Sequence, residues 1–204
     1  MKEVTRHIVS LLLATGFLLS SFPLAATDGG ELAADKCERC HGKNGNSDKE
    51  DLPSIAGFSD VVIMDSMEMY RSGDRTGAKY RTGDEPETDM NEIARQLSDE
   101  DIEALAGFYS TQKFLPRAQK FDAALAEKGA GIHDSKCENC HSDQGSNPDD
   151  DAAILAGQWT PYLRTQCSAF LSGEREAPKK MQKKIDKLSA EEIEALLNFY
   201  ASQQ

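Results

Sequence analysis

Five consecutive residues recur one hundred positions apart with a single change: Cys37-Glu-Arg-Cys40-His41 returns as Cys137-Glu-Asn-Cys140-His141. The same offset lays Ile55-Ala56-Gly57 on Leu155-Ala156-Gly157, and Ser72-Gly73-Asp74-Arg75 on Ser172-Gly173-Glu174-Arg175. Past the arginines the offset falls to 91. There Met90 meets Met181, Leu97-Ser98 meets Leu188-Ser189, and the stretch 102–109 meets 193–200. A chain of 204 residues built this way must fold as two copies of one unit, each near the usual size of a small domain. The difference in offset is a polar, Gly-rich insertion between Thr76 and Asp89 in the first copy, expected as a surface loop.

Within each copy the local signals are helical. Residues 30–40 and 121–140 lead into the cysteines, and Asp60 to Arg71 and Pro161 to Leu171 carry apolar residues at helical spacing. A last helix opens both times with a hydroxyl followed three residues later by an acid, Ser98 with Asp101 and Ser189 with Glu192. No segment alternates, so an all-α fold is expected. Pro116 and a lack of strong helix formers mark a linker over 114–120, between domains at 27–113 and 121–204.

Residues 1–26 read as a Sec-type signal peptide, with Lys2 and Arg6, an apolar run from Ile8 to Phe22, and small residues at Ala25-Ala26. No paired arginines or cleavage-site cysteine divert it to another export route. The apolar run is short of the roughly 20 residues that span a bilayer, and nothing later is longer, so a mature chain in the periplasm with no membrane span is expected. The formal net charge of −12 argues against nucleic acid or an anionic membrane as partner, and favours a docking partner that is basic or tolerant of acid.

Cys-x-x-Cys-His is the attachment signature of haem c. Two thiols add to the porphyrin vinyl groups and the adjacent histidine gives the iron its proximal ligand. Two copies predict two covalently bound haem groups, on Cys37 and Cys40 with His41 and on Cys137 and Cys140 with His141. A zinc site would want its Cys pairs within about 20 residues of each other, and disulfides would not explain a histidine placed identically twice.

The sixth iron ligand follows by elimination. After residue 26 the histidines are His41, His133 and His141, so the first copy has no second imidazole to offer. His133 lies four residues before Cys137 on the incoming helix, where a surface or hydrogen-bonding role is expected over ligation. Met181 is the single methionine of the second copy, and the repeat selects Met90 in the first; Met64, Met67 and Met69 are spaced for core packing. His/Met ligation leaves no open position, so electron transfer is expected and a dihaem peroxidase is the competing chemistry. Pro53 is placed to offer a carbonyl to His41, a support that Ala153 replaces in the second copy. Cys167 is left over, as a buried thiol or a reactive one.

With these motifs the mature chain resembles a tandem class I cytochrome c of the cytochrome c4 type. Residues 121–126, Ile154-Leu-Ala-Gly-Gln-Trp-Thr-Pro-Tyr-Leu163, Lys179-Lys-Met181 and the terminal Phe199 to Gln204 further resemble the dihaem cytochrome subunit of flavocytochrome c sulfide dehydrogenase. That likeness is close over 117–204 and looser over 27–113. It implies a heterodimer in which an FAD-containing subunit oxidises sulfide, this chain carries the electrons on to an acceptor such as a soluble cytochrome, and FAD sits only on the partner. It also implies His41 and Met90 on haem one, His141 and Met181 on haem two, and domains facing across a pseudo-twofold axis with the haem propionates near the interface. The competing function is an independent dihaem shuttle feeding a terminal oxidase, or serving another reductase or dehydrogenase. On either reading the chain is not an enzyme by itself.

Overall fold

The computed structural model describes residues 28–204; the signal segment read over 1–26 lies outside them. The first domain runs α1 (Gly29–Lys36), α2 (Glu38–His41), α3 (Asp60–Ser72), α4 (Met90–Gln96) and α5 (Asp99–Ser110). The second runs α6 (Ala123–Lys136), the single turn α7 (Ser142–Gly145), α8 (Thr160–Ser172), α9 (Lys179–Ile185) and α10 (Ala190–Ser202). Among the described residues the only extended pairings are two isolated bridges, so the fold is all-α.

Each domain is organised by the crossing of its first and last long helices, α1 on α5 and α6 on α10. The crossing is close because glycine sits at it: a methyl group on Gly29 would collide with the Ala104 carbonyl, and one on Gly129 with the Ala195 carbonyl. Gly29 and Gly129 are 100 apart and Ala104 and Ala195 are 91 apart, so the repeat carries the contact intact. Both capping boxes form: Ser98 and Asp101 bond reciprocally at the start of α5, and Ser189 and Glu192 at the start of α10. Ile102, Leu105 and Tyr109 of α5 then enter one core, and Leu196, Leu197, Phe199 and Tyr200 of α10 the other.

Two features were not read from the sequence. The short helices α4 and α9 stand where the repeat places Met90 and Met181. The insertion is a small hairpin in which Tyr80 and Thr88 exchange backbone hydrogen bonds of 2.8 and 2.9 Å. It leans on the first attachment segment through Arg39 and Glu85, 3.4 Å apart.

The domains are joined by a polar lock. Gln158, fully buried, donates to the Ser54 carbonyl (2.8 Å) and accepts from the Ser54 N–H (3.0 Å), and Trp159 Nε1 donates to the Ser47 carbonyl (3.0 Å). Arg75 bridges its own repeat counterpart Arg175 in antiparallel sense, the contact a twofold relation produces. Under that relation Ser54 corresponds to Ile154 and Gln158 to Phe58, and Ile154 indeed packs into the first domain's cluster with Phe58. The same interface therefore holds one polar pair and one apolar pair in equivalent places.

Candidate haem-attachment sites

The break between α1 and α2 falls at Cys37, and Cys40 and His41 follow one turn on. The cysteine pairs 37/40 and 137/140 are free thiols, with no disulfide between them. Burial pushes the Cys37 thiol up to about 11, against the opposing pull of the Tyr109 hydroxyl. That hydroxyl is itself buried with no partner in hydrogen-bonding geometry. Burial raises the Cys137 thiol in the same way, opposed by Tyr200. Among the described residues no three His, Cys, Asp or Glu side chains gather as a metal cage, and the two Cys pairs lie in different domains.

His41 is 8% exposed, and its Nδ1 donates to the Pro53 carbonyl at 2.9 Å, the contact expected from Pro53. That bond fixes the ring and leaves Nε2 for iron. In the second domain Ala153 holds the equivalent place. Its carbonyl lies near enough to favour the protonated ring weakly but outside hydrogen-bonding geometry, and the buried His141 Nδ1 has no partner. Both imidazoles are held below the ordinary histidine range, first by burial, which suits a neutral ligand.

Among the described residues His133 is the most buried histidine, 1% exposed. Its Nε2 donates to Glu138 at 2.7 Å and its Nδ1 bonds the Tyr200 hydroxyl at 3.0 Å. Both nitrogens are thus engaged inside the protein, so of the surface or hydrogen-bonding roles expected for it His133 has the second. The Glu between each pair of cysteines also has a structural task that the sequence did not disclose. Glu38 accepts from the Asn44 N–H (3.1 Å), and Glu138 from the Asp143 and Gln144 N–H groups (2.9 and 3.2 Å). Each carboxylate pins the left-handed turn that follows its histidine, where Asn44, Asp143 and Gln144 have positive φ.

Met90 opens α4 under an Asp89 cap and borders the same cluster as Cys37. Met181 sits on α9, half-buried, outside the second domain's cluster. Met67 is 7% exposed in the first core, with Met64 packed against that core, as spacing predicts for packing residues. The residue after each methionine ties its helix down: Asn91 donates to the Tyr70 carbonyl (2.6 Å) and Gln182 to the Phe170 carbonyl (3.2 Å), positions 70 and 170 being repeat partners. Asn and Gln do not align as identical letters, and the shared task was hidden for that reason.

The two methionine helices differ in charge. α4 carries Asp89 and Glu92 at its start, both bonded by Lys79. In the second domain Lys179, Lys180, Lys183, Lys184 and Lys187 are all exposed, with no ion pair among the described residues, and Lys184 is close enough to Cys137 to ease its ionisation. A strongly acidic chain thus presents one local basic face, beside the second attachment site. Cys140 there is exposed, whereas Cys40, beneath the insertion hairpin, is half-covered.

A crossed pair of helices, two unbridged thiols and a buried imidazole with one nitrogen to spare make each half a class I c-type cytochrome domain, and the residues fit a covalently attached haem. Family descriptions divide the chain in the same way: Cytochrome c matches residues 26–113, and Cytochrome C oxidase, cbb3-type, subunit III matches residues 124–199. The crystal structure of reduced recombinant cytochrome c4 from Pseudomonas stutzeri is similar at TM-score 0.71 and 28% identity, covering 88% of this chain and 98% of that one. A thiosulfate dehydrogenase electron acceptor of Stutzerimonas stutzeri is 27% identical over 208 residues, 91% of this chain and 90% of that protein. Cytochrome c-554(548) of Halomonas halodenitrificans is 33% identical over 84 residues, 41% of this chain and 93% of that protein. The chain belongs to the cytochrome c family, as a tandem member of cytochrome c4-like build with two covalently bound haem c groups. No helix among the described residues is long and apolar enough to cross a membrane.

Proposed function

We propose that this chain is a periplasmic dihaem electron carrier that accepts electrons from a dehydrogenase acting on a reduced sulfur compound and passes them to a separate acceptor. His41 with Met90 and His141 with Met181 are the axial pairs in this reading. Bound haem supplies a one-electron iron couple; the protein holds the imidazoles neutral, fixes His41 through Pro53 and keeps the two domains in register. The observation that carries the reading is the lock at Gln158, which sets two one-electron centres at a constant separation inside one chain. The relative named as a thiosulfate dehydrogenase electron acceptor supports the donor class.

The permanent heterodimer with an FAD-containing sulfide dehydrogenase subunit is the second reading. Its sequence support was the likeness of residues 121–126, Ile154 to Leu163, Lys179 to Met181 and Phe199 to Gln204. Gln158 and Trp159 are engaged in the domain lock, and Gln204 exchanges hydrogen bonds with Gln119 of the connecting segment (2.9 and 3.0 Å). Those residues therefore have an intramolecular reason to be present. Leu115 and Phe121, large apolar side chains exposed in the same connecting segment, favour the second reading by offering apolar surface to a standing partner.

Salt separates the two. A transient carrier docks by charge and its reduction by the donor slows as ionic strength rises, whereas an apolar subunit interface persists. The chain purified from its native host is expected to elute without flavin at low and high salt. Its reduction by thiosulfate or sulfide is expected to need added dehydrogenase and to weaken with salt. Co-elution with a flavoprotein at both salt concentrations selects the heterodimer. Failure of either dehydrogenase to accelerate reduction removes the sulfur-compound donor.

A further inference from the structure

The insertion of the first domain crosses from one wall of its attachment site to the other. One end is fastened to the helix that bears Met90. Lys79 and Thr88, one on each arm of the hairpin, both bond Glu92 of α4 (2.7 and 3.0 Å), and the Gly77 N–H donates to Asn91 Oδ1 at 2.8 Å. The fit there is close, since a methyl group on Gly77 would meet the Met90 backbone nitrogen. The other end reaches the attachment segment, where Glu85 pairs with Arg39, the residue before Cys40. Between the ends Tyr80 is half-buried; burial first, and then the nearby Asp51 and Cys40, raise its hydroxyl. The hairpin is thus a strap that ties the methionine helix to the cysteines and lies over Cys40.

The second domain has no equivalent. Only residues 176–178 separate Arg175 from α9, and Cys140 is exposed where Cys40 is half-covered. Charge sharpens the difference. On the strap Asp84, Glu85 and Glu87 are exposed, while its cations are engaged: Lys79 bonds Asp89 and Glu92, and Arg81 reaches the Glu85 carbonyl at 3.4 Å. In the second domain Lys179, Lys180, Lys183, Lys184 and Lys187 are exposed with no ion pair among the described residues, and the acid among them, Asp186, is held by Gln182 at 2.7 Å. An acidic surface brought to the first site meets like charge and a covered cysteine. At the second site it meets opposite charge and an open one. Like charges set against each other suppress a wrong encounter, and opposite charges steer the right one.

We propose that residues 76–89 are an exclusion strap, which covers the edge of haem one and turns acidic partners away from it, so that the chain meets an acidic redox partner on the lysine face of the second domain. The inference rests on the reading of the chain as an electron carrier, and concerns which haem a partner approaches.

The test uses the assembled ferric two-haem chain, with haem count verified by mass, and two paramagnetic probes, a neutral gadolinium(III) chelate and the anionic trisoxalatochromate(III). The readout is the broadening of haem methyl NMR signals assigned haem by haem, so it stands whether or not a sulfur-compound dehydrogenase proves to be the donor. In the wild type the neutral probe is expected to broaden haem-two signals more than haem-one signals, and the anionic probe to widen that preference about tenfold. Replacing residues 76–87 by the three-residue link found at 176–178 is expected to abolish the preference of the neutral probe. Should that variant fail to assemble, Arg39→Ala with Glu85→Ala frees the strap at one end only and is expected to reduce the same preference. Lys183→Glu with Lys184→Glu is expected to remove the extra preference of the anionic probe and leave that of the neutral probe unchanged. Equal broadening of both haems by the neutral probe in the wild type, or a preference unmoved in an assembled strap variant, would overturn the strap. An anionic probe indifferent to the two lysines would overturn the docking face.

Discussion

At the scale of single residues, the second domain gives the cleaner view of iron ligation. Met181 has no methionine to replace it there, so Met181→Ala is expected to leave haem two five-coordinate or water-ligated, with a lowered potential. The thioether-to-iron charge-transfer band should fall by about half, and its persistence at full two-haem strength would show that Met181 is not the ligand. In the first domain Met67 is packed at 7% exposure, so substituting for Met90 would require unpacking the core. The cysteines and proximal histidines were legible because attachment chemistry demands them contiguous in sequence. The burial of His133 was not, since it depends on Tyr200, 67 residues away, and on an α6 whose weak amphipathic pattern does not announce which face turns inward.

At the scale of elements, the helix crossing is the feature on which each domain most depends. Gly129→Ala drives a methyl group into the Ala195 backbone and is expected to destabilise the protein by about 1–3 kcal/mol. Gly131, two residues along the same helix, has open space around its Cα, so Gly131→Ala is expected to stabilise by about 0.5–1 kcal/mol through helix propensity. Urea melts of the two haem-loaded variants check the opposite signs. Helices with a capping box or an apolar stripe were readable in advance. α4 and α9 were not, because a helix of 7 residues shows too little of a stripe to recognise; α9 has no capping side chain, and the Asp89 cap of α4, with Glu92 three residues on, was a start signal the reading missed. The hairpin over Cys40 was read as a loop because a single pair of bridging residues leaves no alternation to detect.

At the scale of the whole molecule, charge is distributed against the average. Net acidity suggested a basic or acid-tolerant partner; locally, the exposed lysines of α9 form a basic patch in the second domain, where Cys140 is also exposed. The pseudo-twofold joint carries a different kind of information. Ser54 with Gln158 and Ile154 with Phe58 occupy mirror positions, so the duplicated halves have drifted into complementary, non-identical faces. Two first halves facing each other would set Ser54 against Phe58 and leave its buried amide without an acceptor; two second halves would set Gln158 against Ile154, whose backbone offers the same N–H and C=O but whose side chain brings bulk that Ser54 lacks. Produced as separate haem-loaded polypeptides and mixed, the halves are therefore expected to assemble one-to-one in gel filtration and to leave like pairs monomeric, and stable dimers of a single half would show the faces to be interchangeable. What began as a self-matching surface has become a lock that accepts one key, and the fusion of the halves in one chain delivers that key at every round of synthesis.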